Sequence, residues 1–237
     1  MADQTRVYFQ QELDRLETQA LDGLRLVDEA LGRTMEACEH QDIELAGIVI
    51  AADDQIDGRY LEIHQALLTL IATQAPVATD LRVVAALLHV IKHVERMGDQ
   101  CVTICKMLPL LGHQPPSHEE IAQRIQGMGT QARSLVRQAS QAFAERDIQL
   151  ARNLVIQDDV IDEHNRACFQ LCLDIADDRD MREWAMTQLL IARCLERVGD
   201  NAVDIGEQTA FVVTGLFREF EDASRGELLS QPHGESA

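Results

Sequence analysis

Apolar residues return every three or four positions along most of the chain. From Val7 the series Leu13, Leu16, Ala20, Leu24, Val27, Leu31 and Met35 follows one face of a 3.6-residue repeat, which predicts a long amphipathic helix ending between Cys38 and His40. Asp42 is placed to cap a second helix, in which Ile43, Ala46, Ile50, Asp53, Asp57, Tyr60, His64, Leu67 and Ile71 keep the period. Gln74-Ala75-Pro76 breaks it. A third helix is expected from about Val77, with Leu81, Val84, Leu88, Ile91, Glu95, Asp99 and Val102 on its inward line. On both helices acidic residues stand where the pattern asks for apolar ones.

Prolines at 76, 109, 115, 116 and 232 leave 1–75, 77–108 and 117–231 free of breakers, and Pro109 to Ser117 is the best linker in the chain. Beyond it, Ser117 with Glu120 and later Asp180 with Glu183 have the spacing of capping boxes. The last helix is expected from about Met181 to near Phe220, and a polar, fraying tail after Glu221.

The pattern is written twice. Gln41-Asp42-Ile43-Glu44-Leu45-Ala46 is answered 105 residues on by Arg146-Asp147-Ile148-Gln149-Leu150-Ala151, and His93-Val94-Glu95-Arg96-Met97-Gly98-Asp99 is answered 101 residues on by Cys194-Leu195-Glu196-Arg197-Val198-Gly199-Asp200. Three helices per unit, most of about 30 residues and so about 45 Å long, make the expected fold all-α. It is two tandem three-helix bundles of long antiparallel helices related by a pseudo-twofold internal repeat. The expected boundaries are residues 1–110 for the first bundle, 111–117 for the linker, 118–220 for the second bundle and 221–237 for a flexible acidic tail.

Composition agrees with packed helices, since aromatics are only 4% of the chain. Lys and Arg number 21 against 40 Asp and Glu, a net charge of −19 that repels phosphate backbones and argues against nucleic acid as a partner. Met1 is not followed by a basic-then-apolar leader, and no stretch approaches the roughly 18 apolar residues of a membrane span, so a cytoplasmic protein is expected. The six cysteines form no CxxC and read as small buried apolar residues of a reducing compartment.

The acidic pairs carry the candidate chemistry. Asp53 with Asp57, Glu95 with Asp99, Asp158 with Asp162 and Glu196 with Asp200 are each four apart, which stacks both carboxylates on one helix face. Such pairs oppose folding by roughly 0.2–0.5 kcal/mol each, and apolar neighbours add desolvation. Repetition at matched positions points to cations that offset the repulsion, and carboxylate oxygens suit Mg²⁺, Mn²⁺, Ca²⁺ or iron. His64 and His93 are in helical phase to add nitrogen ligands. The competing reading is a solvated acidic face in which Arg96 and Arg197 pair with the carboxylates. Gly98 and Gly199 are expected to permit close helix packing. No Glu-x-x-His, His-Glu-x-x-His, Walker A or Gly-x-Ser-x-Gly motif occurs, so no catalytic residue is assigned and a binding or regulatory role is preferred.

The phrases 93–99 and 194–200 resemble the Leu-Glu-Arg-Ile-Gly-Asp signature of the PhoU family of bacterial phosphate-transport and phosphate-signalling regulators. Gln74 to Arg82 is similar to that family's Gln-Pro-x-Ala-x-Asp-Leu-Arg stretch, with an added Ala75. Val49 to Asp53 and Val155 to Asp159 fit its Val-Ile-x-x-Asp segment, and Val212 to Gly215 its closing segment. The resemblance implies multinuclear sites of divalent or iron-type ions (Fe, Mn, Mg or Zn) on Asp53, Asp57, Glu95 and Asp99 in one bundle and Asp158, Asp162, Glu196 and Asp200 in the other. Asp204 is a weaker candidate, and His93 and Cys194 stand where relatives often have an acid. It further implies a non-enzymatic adaptor between the ATPase subunit of a phosphate ABC transporter and a sensor histidine kinase, peripheral to the membrane through these partners and acting as a homodimer or larger assembly. Three alternatives stay open: a metal buffer or metalloenzyme, a plain helical scaffold, and a PhoU-like regulator of another transporter.

Overall fold

The computed structural model describes residues 2–112, 115–175, 178–217 and 219–220. They form six helices: α1 (Ala2–His40), α2 (Ile43–Gln74), α3 (Ala78–Met107), α4 (Glu119–Glu145), α5 (Ile148–Leu173) and α6 (Arg179–Thr214), with a 3₁₀ turn at Leu108–Leu111 after α3. Among the described residues there is no strand, and no helix is long and apolar enough to cross a membrane. The expected tail after Glu221 lies outside the described residues.

The same turn joins the first two helices of each bundle. Gln41 (φ 52°) and Arg146 (φ 56°) take the left-handed conformation, and the next residue closes the helix before it: Asp42 N–H donates to Ala37 O at 2.9 Å and Asp147 N–H to Ala142 O at 3.0 Å. The two aspartates then cap the following helix, Asp42 accepting from Leu45 N–H and Asp147 from Gln149 and Leu150 N–H. The other two expected caps are displaced. His118, with no side-chain hydrogen bond, begins α4 in place of Ser117, and Asp178 rather than Asp180 caps α6 by accepting from Asp180 and Met181 N–H. α6 stops at Gly215, whose φ of 74° suits a residue without a Cβ, so Phe220 lies beyond the helix.

The α1 stripe is buried as expected, save that Val7 is exposed and Phe9 takes its place. On α2 the buried line is Val49, Ile56, Ile63 and Leu70, joined by Ala46 and Leu67. Asp53 is half-buried in the column of Ala46 and Leu67, whereas Asp57, exposed, lies one column out. On α3 the buried face is centred on Val90, Val94, Met97 and Cys101, leaving Glu95 half-buried at its border and Asp99 exposed. A strict seven-residue repeat drifts by roughly 20° per heptad on a straight helix, so over these lengths the expected stripes slide onto the rim.

The two bundles meet along α1 with α4 and α3 with α6, while α2 and α5 lie outside. Both pairings are antiparallel. Glu17 meets Arg146 at 2.6 Å, Asp28 meets Arg133 at 2.8 Å, and Gln126 donates to Met35 O at 3.3 Å. Along α3 and α6, His93 meets Asn201 at 2.8 Å and Arg82 lies over Gly215. One apolar core runs through both bundles, including all of Leu24, Leu31, Leu87, Met97, Leu135 and Leu195. Burying a side chain of that size stabilises by roughly 1.5–3 kcal/mol, so the bundles share their main source of stability. All six cysteines are free thiols, buried or half-buried. Burial pushes the Cys38 thiol up to about 12 and Cys168 to about 11.

Candidate metal centres

Each bundle carries one acidic seam between its second and third helices. Because α2 and α3 run antiparallel, Asp53 comes level with Gly98 and Asp99, and in the other bundle Asp158 comes level with Gly199 and Asp200. The glycines make this possible. A Cβ built on Gly98 would stand 2.7 Å from Asp53 Oδ1 and 3.2 Å from Ile56 Cδ1, and one on Gly199 would press still harder on Asp158 Oδ1. The expected packing role of both glycines therefore takes a specific form: each opens a notch that seats a carboxylate of the facing helix.

In the first seam the carboxylates act on one another. Burial, then the charges of Asp57, Asp99, Asp54 and Glu95, push the Asp53 carboxyl up to about 6. Asp99 is also raised, first by loss of solvent and then by Glu95 and Asp57, with Lys92 and Lys106 opposing. The four predicted residues are thus electrostatic neighbours. In the second seam Asp200 is raised by burial and by Asp162 and Asp204, against Arg193 and Arg197. Among the described residues, no three carboxylate, imidazole or thiol groups converge closely enough to hold an ion as they stand. The donor set fits a hard, oxygen-preferring cation in charge and composition, and side-chain rotation would have to bring the oxygens together.

The cations paired with the two glutamates were not the ones expected. Lys92 binds Glu95 at 2.8 Å and Arg193 binds Glu196, each from three residues before, while Asp162 has Arg166 at 3.7 Å. Lys92 and Arg193 are equivalent in the repeat, so this arrangement is duplicated with the acids. A comparison of the two units could have found it from sequence. Arg96 and Arg197 form no salt bridge to these acids among the described residues.

Neither histidine joins the first seam as a ligand in the geometry observed. His64 lies against Tyr60, ring centroids 5.7 Å apart. His93 is buried and turned to the other bundle, where Asn201 fixes its state. Asn201 Nδ2 donates to Arg197 O at 2.6 Å, so its Oδ1 accepts from His93 Nδ1–H at 2.8 Å, with Asp204 Oδ2 3.4 Å away. Burial lowers the imidazole's proton affinity, with Asn201 and Asp204 opposing. Asp204 therefore divides its influence between Asp200 and His93. Cys194, the equivalent of His93, is buried in the apolar core.

The PhoU domain model matches residues 22–108 and again 125–209, so each match contains one complete acidic seam. The phosphate-specific transport system accessory protein PhoU homolog of Clostridium acetobutylicum is 31% identical over 220 residues, covering 92% of this chain and 100% of that protein. The fold is similar to the crystal structure of the phosphate transport system regulatory protein PhoU from Streptococcus pneumoniae, with a TM-score of 0.81, 26% identity and 89% and 99% of the two chains covered. It is also similar to the crystal structure of PhoU from Pseudomonas aeruginosa, with a TM-score of 0.79, 26% identity and 88% and 100% covered. Twofold domain matches, whole-length similarity to curated relatives and a shared six-helix architecture place this chain in the PhoU family.

Proposed function

We propose that this protein is an accessory regulator of a phosphate-specific transport system, acting by binding other proteins and not by catalysis. The observation that carries the reading is the duplicated domain match spanning both acidic seams, together with whole-length similarity to proteins that bear that role in their names. In finer terms, the chain links the ATPase subunit of a phosphate ABC transporter to a sensor histidine kinase on the cytoplasmic side. There it keeps the phosphate-starvation response off while phosphate is ample.

Two features support a protein-binding role. The shared core makes the two bundles one stiff body able to present separate faces. Its surface leaves apolar side chains exposed at helical spacing, Phe169 and Leu173 on α5 and Met186 and Leu190 on α6, as protein-binding surfaces do.

Metal enters the proposal as a stabiliser of the acidic seams. Asp53, Asp57, Glu95 and Asp99 would hold ions in one bundle and Asp158, Asp162, Glu196 and Asp200 in the other. A bound cation would offset the burial, and after it the like charges, that raise Asp53 and Asp200. Deletion of the gene in its own host, with a phosphate-starvation promoter fused to a reporter, tests the regulatory claim. The reporter is expected to fire in phosphate-replete medium and to be silenced by the restored gene; a reporter silent without the gene would end the proposal.

A further inference from the structure

We propose that Lys92 is a latch on the first acidic seam, a positioning residue that holds Glu95 out of the carboxylate cluster until a bound cation takes its place. The inference rests on the reading of the seams as metal centres and says how one of them is loaded. Lys92 lies one turn before Glu95 on α3, and Asp99 one turn after it. The ammonium donates to both carboxylate oxygens, Nζ standing 2.8 Å from Oε1 and 2.8 Å from Oε2, so neither oxygen is free for an ion. The Glu95 side chain is only 18% exposed and that of Lys92 40%, so the cation reaches the acid from the solvent side.

The ammonium is itself held in place from the facing helix. Tyr60 of α2 packs on the apolar core and on His64, and its ring centroid is 5.0 Å from Lys92 Nζ, so attraction to the ring adds to the ion pair. The effect on the seam is visible: of the four acids that raise Asp53, Glu95 acts least, and among the described residues no three donors converge. A half-exposed pair of this kind is weak enough to yield, and a divalent ion between the aspartates offers Glu95 twice the charge of the ammonium. Once Glu95 turns to the ion, Lys92 is released to solvent. The internal repeat keeps the arrangement while changing its parts. Arg193 answers Lys92 and pairs with Glu196, whereas Tyr60 is answered by Asn165. What is kept is a cation three residues before the glutamate, and a guanidinium can meet a carboxylate without an aromatic seat.

Lys92 and Lys106 are the only lysines of the chain, which makes the test selective. Lys106 is exposed and has no ion pair among the described residues, yet its charge, like that of Lys92, acts on Asp99, so it is the control for charge alone. The full chain carrying Asp162→Ala, which leaves the first seam intact, is titrated with Mn²⁺ by calorimetry. Adding Lys92→Met should tighten binding about fivefold, and adding Lys106→Met by less than about twofold. In the wild type labelled with ¹³Cε-lysine, Mg²⁺ should move the Lys92 signal along the same saturation curve as binding and move that of Lys106 much less. Equal Mn²⁺ affinity with and without Lys92→Met, an equal gain from Lys106→Met, or saturating Mg²⁺ binding with the Lys92 signal in place would overturn the latch and leave the metal reading standing. No metal bound by any of these proteins would end the metal reading and the latch together.

Discussion

The Asp53 carboxylate occupies the space that a side chain at position 98 would need: a Cβ on Gly98 would come within 2.7 Å of Asp53 Oδ1, and Gly199 stands in the same relation to Asp158. The obstructing atom is the free end of a side chain. Gly98→Ala therefore displaces the carboxylate more than it displaces a helix, and the helix propensity gained, about 1 kcal/mol, offsets part of the clash. The expected outcome is a change in stability within about 1 kcal/mol by urea unfolding, together with a roughly tenfold loss of Mn²⁺ affinity by calorimetry. Equal Mn²⁺ affinity in the variant would show that the notch does not seat a ligand.

The raised Asp53 carboxyl makes stability depend on pH in a defined direction. Its value of about 6 in the folded protein lies above the ordinary 3.8, so between these values the folded state holds more protons than the unfolded one. In chelator its contribution is present at the acid end and is lost as pH rises from about 4 to 6. Asp53→Asn should remove that component and raise Tm at pH 7 by about 2–4 °C, which corresponds to order 1 kcal/mol once solvent screening of this half-exposed group is allowed for. Thermal unfolding of both proteins between pH 4.5 and 7.5 checks this. A difference that does not grow with pH contradicts it.

Much of this was legible in the sequence because duplication supplied a second copy of each signal. The turn at Gln41 and Asp42 could be checked against Arg146 and Asp147, and both have the same backbone geometry. The six-helix architecture and the pairing of α2 with α3 acids followed from period and repeat. What failed was fine register. Ser117 and Asp180 satisfy a capping rule as well as the true N-terminal neighbours do, and the choice depends on where the preceding loop delivers the chain. Helical phase groups His93 with the first seam, because phase alone cannot say which of two neighbouring helices a side chain meets. Only the antiparallel packing of α3 on α6 gives it Asn201 as a partner.

That bond is testable. Asn201→Ala leaves the buried His93 Nδ1–H without its acceptor and should cost about 1–3 kcal/mol. Because Asn201 bridges the bundles, the loss should appear in global unfolding by urea, with a single transition in both proteins. An unchanged urea midpoint would mean that the bond contributes nothing between the bundles.

The thiols should behave as packing groups. With Cys38 pushed to about 12 and Cys168 to about 11, and the other four also raised by burial, the native protein should react slowly with a thiol reagent at pH 8. All six should react at once in denaturant, and half-buried Cys172 should lead in the folded state. Fast modification of several thiols in the native protein would contradict the shared core.

Equilibrium dialysis of the full chain against Mn²⁺, with elemental analysis of the wild type, Asp57→Ala, Asp162→Ala and the double variant, addresses the acidic seams most directly. Two independent centres predict metal in the wild type, roughly half of it in each single variant and little in the double variant, with circular dichroism unchanged. Wild-type loading in the double variant, or no metal in any of the four proteins, would contradict the assignment of these carboxylates as ligands.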